Sequence, residues 1–282
     1  MVGGTPHQEG ATFLMDPHVA KLVAEIDAVI ENHVTDQPRS RQKRIGPSEI
    51  GHPCDLRIGY RLLGHPQTNK NQPLPWKPWI GTRVHEGLEE VFAHANMAQP
   101  NWSVDGEDRY RLEERVTVGR IGQNTITGVC DFFHNGVVID WKIVGANALR
   151  RYKTAQDPGE QYRTQVHLYG LGWENAGHTV THVAIYFLPR DQEWKQRYIW
   201  AEPYDRQIAL NAIERADAIA QLVNKGGTAA LDLLRRHGSY CQSCPWFKAN
   251  SKDLTRGCPG DPAMLKAAME PFADLIARQP NN

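Results

Sequence analysis

The stretch GVCDFFHNGVVIDWKIVG, residues 128–145, constrains the fold more than any other part of the chain. Asn135–Gly136 lies between two β-rich runs, and Asn-Gly in that setting is the strongest short-range signal for a two-residue hairpin turn. With these two as the loop, His134 pairs with Val137, and counting outward along the strands sets Asp131 across from Asp140. Facing residues of an antiparallel pair have Cβ atoms about 5 Å apart and point to one side of the sheet. Lys142, two residues beyond Asp140, falls on that side too, while Phe132, Ile139 and Trp141 point to the other, where an apolar core can sit. Two bare carboxylates so close raise each other's pKa and destabilise the pair. A divalent cation between them removes the repulsion, and their face then borders a cleft instead of the core. The competing reading is an edge ion pair in which Lys142 alone neutralises the aspartates.

The remainder of the chain sets the bounds. Its 282 residues suit one large domain, or a domain with an appended lobe. Lys and Arg number 32 and Asp and Glu also 32, so no overall field draws the protein to nucleic acid or membrane. A nucleic-acid partner would be held by local patches and by metal charge. No apolar run approaches the roughly 20 residues of a membrane span, and MVGGTPHQEG lacks the basic-then-apolar pattern of a signal peptide. The expectation is a cytoplasmic protein with no membrane partner. Its five cysteines, Cys54, Cys130, Cys241, Cys244 and Cys258, are then reduced, and clustered ones read as metal ligands.

Apolar residues at helical spacing (Val19, Leu22, Val23, Ile26, Val29, Ile30) predict a helix from about Pro17 to His33. The polar, proline-broken TDQPRSRQKRIGPSEIGHPC reads as a linker or ordered loop, with RSRQKR a solvated run or a phosphate contact. A second helix starts near Gly81, its stripe formed by Val84, Leu88, Val91 and Phe92, with His85 and Glu89 on one flank. RLEERVTV alternates as a strand and leads into the hairpin. A helix from Pro158 to Trp173 carries Tyr162, Gln165 and Tyr169 on one side. THVAIYFLP and WKQRYIWAE read as strands, Tyr204 to Asn224 as a long helix, and PAMLKAAMEPFADLIARQ as a terminal helix. The order predicts an α+β or mixed-sheet core with helical additions at both ends.

GTRVHEGLE, GVCDFF, DWK and QVHLY stand in the order, and on the elements, of the RecB-type exonuclease branch of the PD-(D/E)XK nuclease superfamily, which the chain resembles from about Cys54 to Cys258. Gly81, His85 and Glu89 match the family's GxxxHxxxE motif, Gly128 and Asp131 its GxxD, Asp140-Trp141-Lys142 its (D/E)xK, and Gln165 and Tyr169 its QxxxY. The resemblance implies a restriction-endonuclease-like α+β core: a mixed central sheet flanked by helices, with helical additions closed by an iron–sulfur site. It implies a deoxyribonuclease, an exonuclease acting on DNA ends or single strands. In that reading His85, Asp131, Asp140 and the Trp141 carbonyl hold one or two divalent ions, and Lys142 orients the attacking water. Gln165 and Tyr169 meet the DNA strand. A histidine among oxygen ligands tilts the choice from magnesium toward manganese. Taken one by one, His85 reads as an interface histidine, Gln165 and Tyr169 as helix-boundary residues, and Glu89 as a surface or supporting acid.

Cys241-x2-Cys244 and Cys258, with Cys54 far upstream in SEIGHPCDLRIGY, are similar to the arrangement in AddB-type and CRISPR-associated RecB-like nucleases, where a [4Fe-4S] cluster ties the N-terminal lobe to the C-terminal tail. The 13 residues between Cys244 and Cys258 exceed the short spacer usual there, so a four-thiolate Zn2+ site is the alternative. Cys130 reads as a packing residue, and Trp76 and Trp79 as packing residues or, less simply, a base-stacking platform. The implied organisation is residues 1–45 as helix and basic linker, 46–80 as a metal-cluster lobe, 81–225 as the nuclease core, and 226–282 as cysteine segment and terminal helix. A rival from another class is a nuclease-like DNA-binding or scaffold subunit of a recombination complex, without turnover. A homo-oligomer is compatible with either.

Overall fold

The Asn135–Gly136 turn forms with both residues in left-handed backbone, φ 48° and 77°, as a two-residue hairpin of this kind requires. It lies in a computed structural model that describes residues 16–36, 45–69, 73–98, 109–238 and 241–262. Around the turn, β2 (Asn124–His134) pairs with β3 (Val137–Val144), His134 with Val137 and Phe132 with Ile139, in the register counted from the sequence. The sheet has five strands in the order β1 (Arg111–Ile121), β2, β3, β4 (His182–Pro189), β5 (Tyr198–Pro203). Only β3 and β4 run parallel. Their link needs a crossover, and it is made by α5 (Ala146–Ala155) and α6 (Glu160–Asn175).

Among the remaining helices, α1 (Pro17–Thr35) belongs to a compact unit separate from the sheet. Asp16 caps it by accepting the N–H groups of His18 and Val19, and Leu22, Ile26 and Val29 of its apolar stripe are exposed. The second unit holds α2 (Pro47–Ile50), α3 (Asp55–Leu62), nearly all of α4 (Trp76–Met97), the sheet, α5, α6 and α7 (Arg206–Gly226). The helix expected to start near Gly81 begins five residues earlier, at Trp76, because Pro78 falls in the first turn, where its missing N–H has no intrahelical role. Helices α2, α3 and α5 were not expected: α2 is a single turn inside a polar, proline-broken segment, and α5 starts after Gly145, which has no side chain to cap it, the Ala146 N–H being accepted by the distant Asp191. The RSRQKR run and the terminal helix expected after Pro262 lie outside the described residues. No described helix is long and apolar enough to cross a membrane.

The two faces of the sheet are packed unequally. Phe132, Trp141 and Leu188 form a small cluster under Val84, Leu88 and Phe92 of α4; Val91, expected in that stripe, is exposed. The larger core contains Val138, Phe133, Val116 and Phe187 with Leu168 and Trp173 of α6 and Ala216 of α7. Phe133 stacks on Trp173 with ring centroids 4.3 Å apart, whereas Phe132 meets Phe92 at 5.0 Å. Val138 shares its side of β3 with Asp140 by strand alternation. An apolar cluster does sit behind Ile139 and Trp141, as expected, but the larger core lies on the Asp140 side, and Asp131 and Asp140, expected to face a cleft, are 5% and 1% exposed.

Gly128 shows why the packing needs no side chain at that position. A Cβ there would sit 2.6 Å from Pro47 Cγ and 2.8 Å from Tyr169 Cε1, so α2 and α6 both close on the bare backbone. Both neighbours are rings with little freedom to retreat. The expected outcome for Gly128→Ala is a loss of about 1–3 kcal/mol in urea unfolding, with Tyr169 fluorescence or ring chemical shifts displaced.

Candidate functional site

Past Phe132–Ile139 the β2–β3 ladder stops, before it reaches Asp131 and Asp140. Asp131 Oδ2 accepts the Trp141 N–H at 2.8 Å, doing with a side chain what a strand carbonyl would otherwise do. Strict alternation also slips here, since Cys130 and Phe133, three residues apart, both enter the main core. Cys130 is thus the packing residue its position suggested.

Asp140 is held from two sides. Gln165 Nε2 donates to its Oδ1 at 2.8 Å, and Lys142 Nζ pairs with its Oδ2. The Lys142 ammonium also lies 4.9 Å from the centre of the Tyr162 ring. Gln165 Nε2 reaches Tyr169 OH at 3.4 Å, and Gln165 Oε1 is buried with no hydrogen-bond partner among the described residues. Burial raises the Asp140 carboxyl to about 6, with the Asp131 charge adding to it and Lys142 and His85 opposing. Burial, then the Asp140 and Asp131 charges, hold Tyr169 well above its ordinary value, so its hydroxyl is neutral.

His85, on α4, completes the group. Its Nε2 lies 3.2 Å from the Trp141 carbonyl oxygen, and its Nδ1 lies 3.5 Å from Asp131 Oδ2 and 3.6 Å from Glu113 Oε1. Burial alone would lower its pKa, but the adjacent Asp131 and Glu113 carboxylates, with the Asp140 charge, outweigh that and raise it to about 9. The structure thus gathers His85, Asp131, Asp140, Trp141, Lys142, Gln165 and Tyr169. Glu89 is exposed on α4, as a surface acid would be.

Glu113 is the residue that sequence reasoning missed. Counting back from the β1–β2 turn, where Ile121 pairs with Asn124, would place Glu114 across from Asp131. A bulge between Thr117 and Gly119 shifts the register, so that Leu112 pairs with Phe132 and Glu114 with Cys130, leaving Glu113 at the Asp131 level. Gly119, in a strand of otherwise larger residues, is the one signal of that bulge in the sequence. Glu113 itself adopts φ 48°. His85, Glu113 and Asp131 offer ligand atoms all within 4.8 Å of one another, a donor set of one imidazole and two carboxylates that suits a divalent cation.

A second cluster lies apart from this one. Cys54, at the start of α3, lines a cavity of about 20 Å³ together with Cys241, Cys244 and Cys258. The segments that carry them are tied together: Thr68 and Asn69 N–H groups donate to the Pro245 carbonyl at 3.0 and 2.9 Å, and Tyr60 stacks on Trp246 at 5.3 Å. Gly260 N–H donates to Cys258 Sγ at 3.3 Å. Burial pushes the Cys258 thiol up to about 11 and raises Cys241 and Cys244 as well. Among the described residues no three cysteine sulfurs lie within 4.8 Å of one another.

No protein-family model matches the chain, and no curated protein matches it. Among solved structures, the chain is similar to SSO0001, with 14% identity, a TM-score of 0.43, and coverage of 81% of this chain and 94% of that one. It is also similar to the alkaline exonuclease LHK-Exo from Laribacter hongkongensis, at 7% identity and TM-score 0.35 over 63% of this chain and 90% of that one. A phage-related exonuclease from Haemophilus somnus 129PT is similar at 14% identity and TM-score 0.36, over 72% and 92% of the two chains.

The Asp140–Lys142 pair gives a pH-dependent expectation. Asp140, raised in the folded protein, favours the fold when protonated, and that contribution is lost as pH rises through about 6. Lys142 matters only to the ionised form. In chelator, Lys142→Met is expected to lose about 2–3 kcal/mol at pH 7.5 in urea unfolding, and to approach the unmutated protein as pH falls to 5.

Proposed function

We propose that the protein is a metal-dependent deoxyribonuclease of the PD-(D/E)XK superfamily, RecB-type branch, acting as an exonuclease on DNA ends or single strands. The observation that carries this reading is the meeting of Asp140, Lys142 and Gln165 with Asp131 and His85 where the β2–β3 ladder ends. When bound by Asp131, Asp140, His85 and the Trp141 carbonyl, one or two Mn2+ or Mg2+ ions would polarise the scissile phosphate and lower the pKa of an attacking water. The crowding of buried acids and the ligand-atom spacing at His85, Glu113 and Asp131 fit such ions.

The chain's own residues supply the rest. Lys142, anchored by Asp140 and the Tyr162 ring, holds a fixed cation where a water proton and the charge growing on the phosphate must be met. Gln165 aims the Asp140 carboxylate through its Nε2 and keeps a free acceptor, Oε1, for a water or a nucleotide donor. Tyr169, neutral and buried, backs Gln165 at 3.4 Å.

Cys54, Cys241, Cys244 and Cys258 are proposed to hold a structural [4Fe-4S] cluster. Four thiolates on one zinc at about 2.3 Å would bring their sulfurs within about 3.8 Å of one another; a four-iron cluster spreads them further. The convergence of the four cysteines on one cavity and the Gly260 N–H on Cys258 Sγ support a metal-bound thiolate centre there. Because such binding is partly folding energy, the cluster would secure segments 45–69 and 241–261 to each other.

End-labelled linear DNA incubated with anaerobically purified protein is the test. Label should be lost with Mn2+ or Mg2+ and not in chelator, and Asp140→Ala and Lys142→Ala should each fall at least about 100-fold while remaining folded. DNA binding without cleavage by the folded, metal-loaded protein would point to a non-cleaving subunit. For the cysteines, the purified protein should contain iron and acid-labile sulfide, and Cys241→Ala should lose visible absorption and melt at lower temperature. Zinc in place of iron would refute the cluster.

A further inference from the structure

We propose that Glu113 is a protein ligand to a divalent cation, held jointly with His85 Nδ1 and Asp131. The proposal rests on the metal-dependent reading above and adds a residue from β1 that none of the four sequence motifs contains.

The geometry fixes which histidine nitrogen faces the acids. Nε2 has a backbone carbonyl, that of Trp141, at 3.2 Å, and a carbonyl can only accept, so the ring hydrogen belongs there. Nδ1 then faces Asp131 Oδ2 and Glu113 Oε1. A cation bound there would replace the Nδ1 proton as the positive centre that the two carboxylates face. The separations from Nδ1, 3.5 and 3.6 Å, are longer than ordinary hydrogen bonds. They fall instead between the distances of about 3 and 4 Å that neighbouring and opposite ligands of an ion at roughly 2.1 Å keep from each other. A backbone carbonyl that fixes the unbound nitrogen is also what metal-ligating histidines ordinarily have.

Glu113 is delivered to this place by two features of β1. The bulge between Thr117 and Gly119 moves it to the level of Asp131, and its own left-handed backbone, φ 48°, interrupts the pairing between Leu112–Phe132 and Glu114–Cys130. Its neighbour Glu114 is engaged differently, with Arg111 at 3.5 Å. The same strand therefore supplies an internal control one residue away.

Manganese uptake, followed by the electron paramagnetic resonance of free Mn2+ in titrations of the whole protein, is the test. Glu113→Gln keeps a hydrogen-bond acceptor beside His85 but loses the charged ligand. Its affinity should fall about 10-fold or more, while Glu114→Gln matches the unmutated protein and Asp131→Asn loses the site. Glu113→Gln with unchanged affinity, alongside a weakened Asp131→Asn, overturns the role of Glu113 and leaves the nuclease reading standing. No Mn2+ uptake by the unmutated protein removes both. Manganese anomalous scattering from crystals of the unmutated protein makes the test independent of how the variants fold. A peak within about 2.5 Å of a Glu113 carboxylate oxygen supports the assignment, and a peak beyond its reach contradicts it.

Discussion

At Trp141 the ladder between β2 and β3 loses its regular partner, and the Asp131 carboxylate accepts the N–H instead, at 2.8 Å. That substitution lets the strands part without orphaning a buried backbone donor, a loss of about 1–3 kcal/mol if left unmade. The same residue presents its carbonyl to His85. Trp141 thus positions both an aspartate and a histidine through its backbone, and the strand continues to Lys142. The neighbouring parts of the site depend on this opening: Asp140 meets Gln165 from α6 because the main core packs against its face, and Lys142 is left to balance it.

The price of this arrangement is buried charge. Asp131 and Asp140 are nearly inaccessible, and the fixed cation on Asp140, Lys142, is flanked by a tyrosine ring. An edge ion pair of the kind first considered would sit in water and contribute little. Here burial raises the Asp140 carboxyl to about 6 against the pull of Lys142, while the neighbouring carboxylates raise His85 to about 9, so that it carries a positive charge in the absence of an ion. Such a group of acids is held together by whatever positive centre occupies it, which is why its composition bears on function more directly than the fold does.

Much of the hairpin was legible because Asn-Gly sets both turn type and register, and the pairs from His134–Val137 to Phe132–Ile139 follow by counting. The α6 face was legible too, since Gln165 and Tyr169 are one helical turn apart. What counting could not reach was the bulge at Thr117–Gly119, which depends on tertiary packing against α7 through Ile213, and therefore Glu113. Nor could it tell which side of the sheet bears the larger core, because both faces of β3 carry apolar residues and α5 gives no capping signal. The cysteines were legible as a group, and the structure adds the reason they converge: residues 64–69 lie along the 242–246 segment and bond to its carbonyls.

The central proposal is that Asp131 holds a divalent cation, which replaces the His85 proton as its counter-charge. Thermal unfolding of the protein across a Mn2+ titration, with Asp131→Asn alongside, measures this most directly, because an ion that binds only the folded state stabilises it by RT ln(1 + [L]/Kd). The account requires a melting temperature that climbs with Mn2+ in the unmutated protein and stays flat in the variant. A melting temperature indifferent to Mn2+ in both proteins would contradict it and return Asp131 to the role of a backbone acceptor alone.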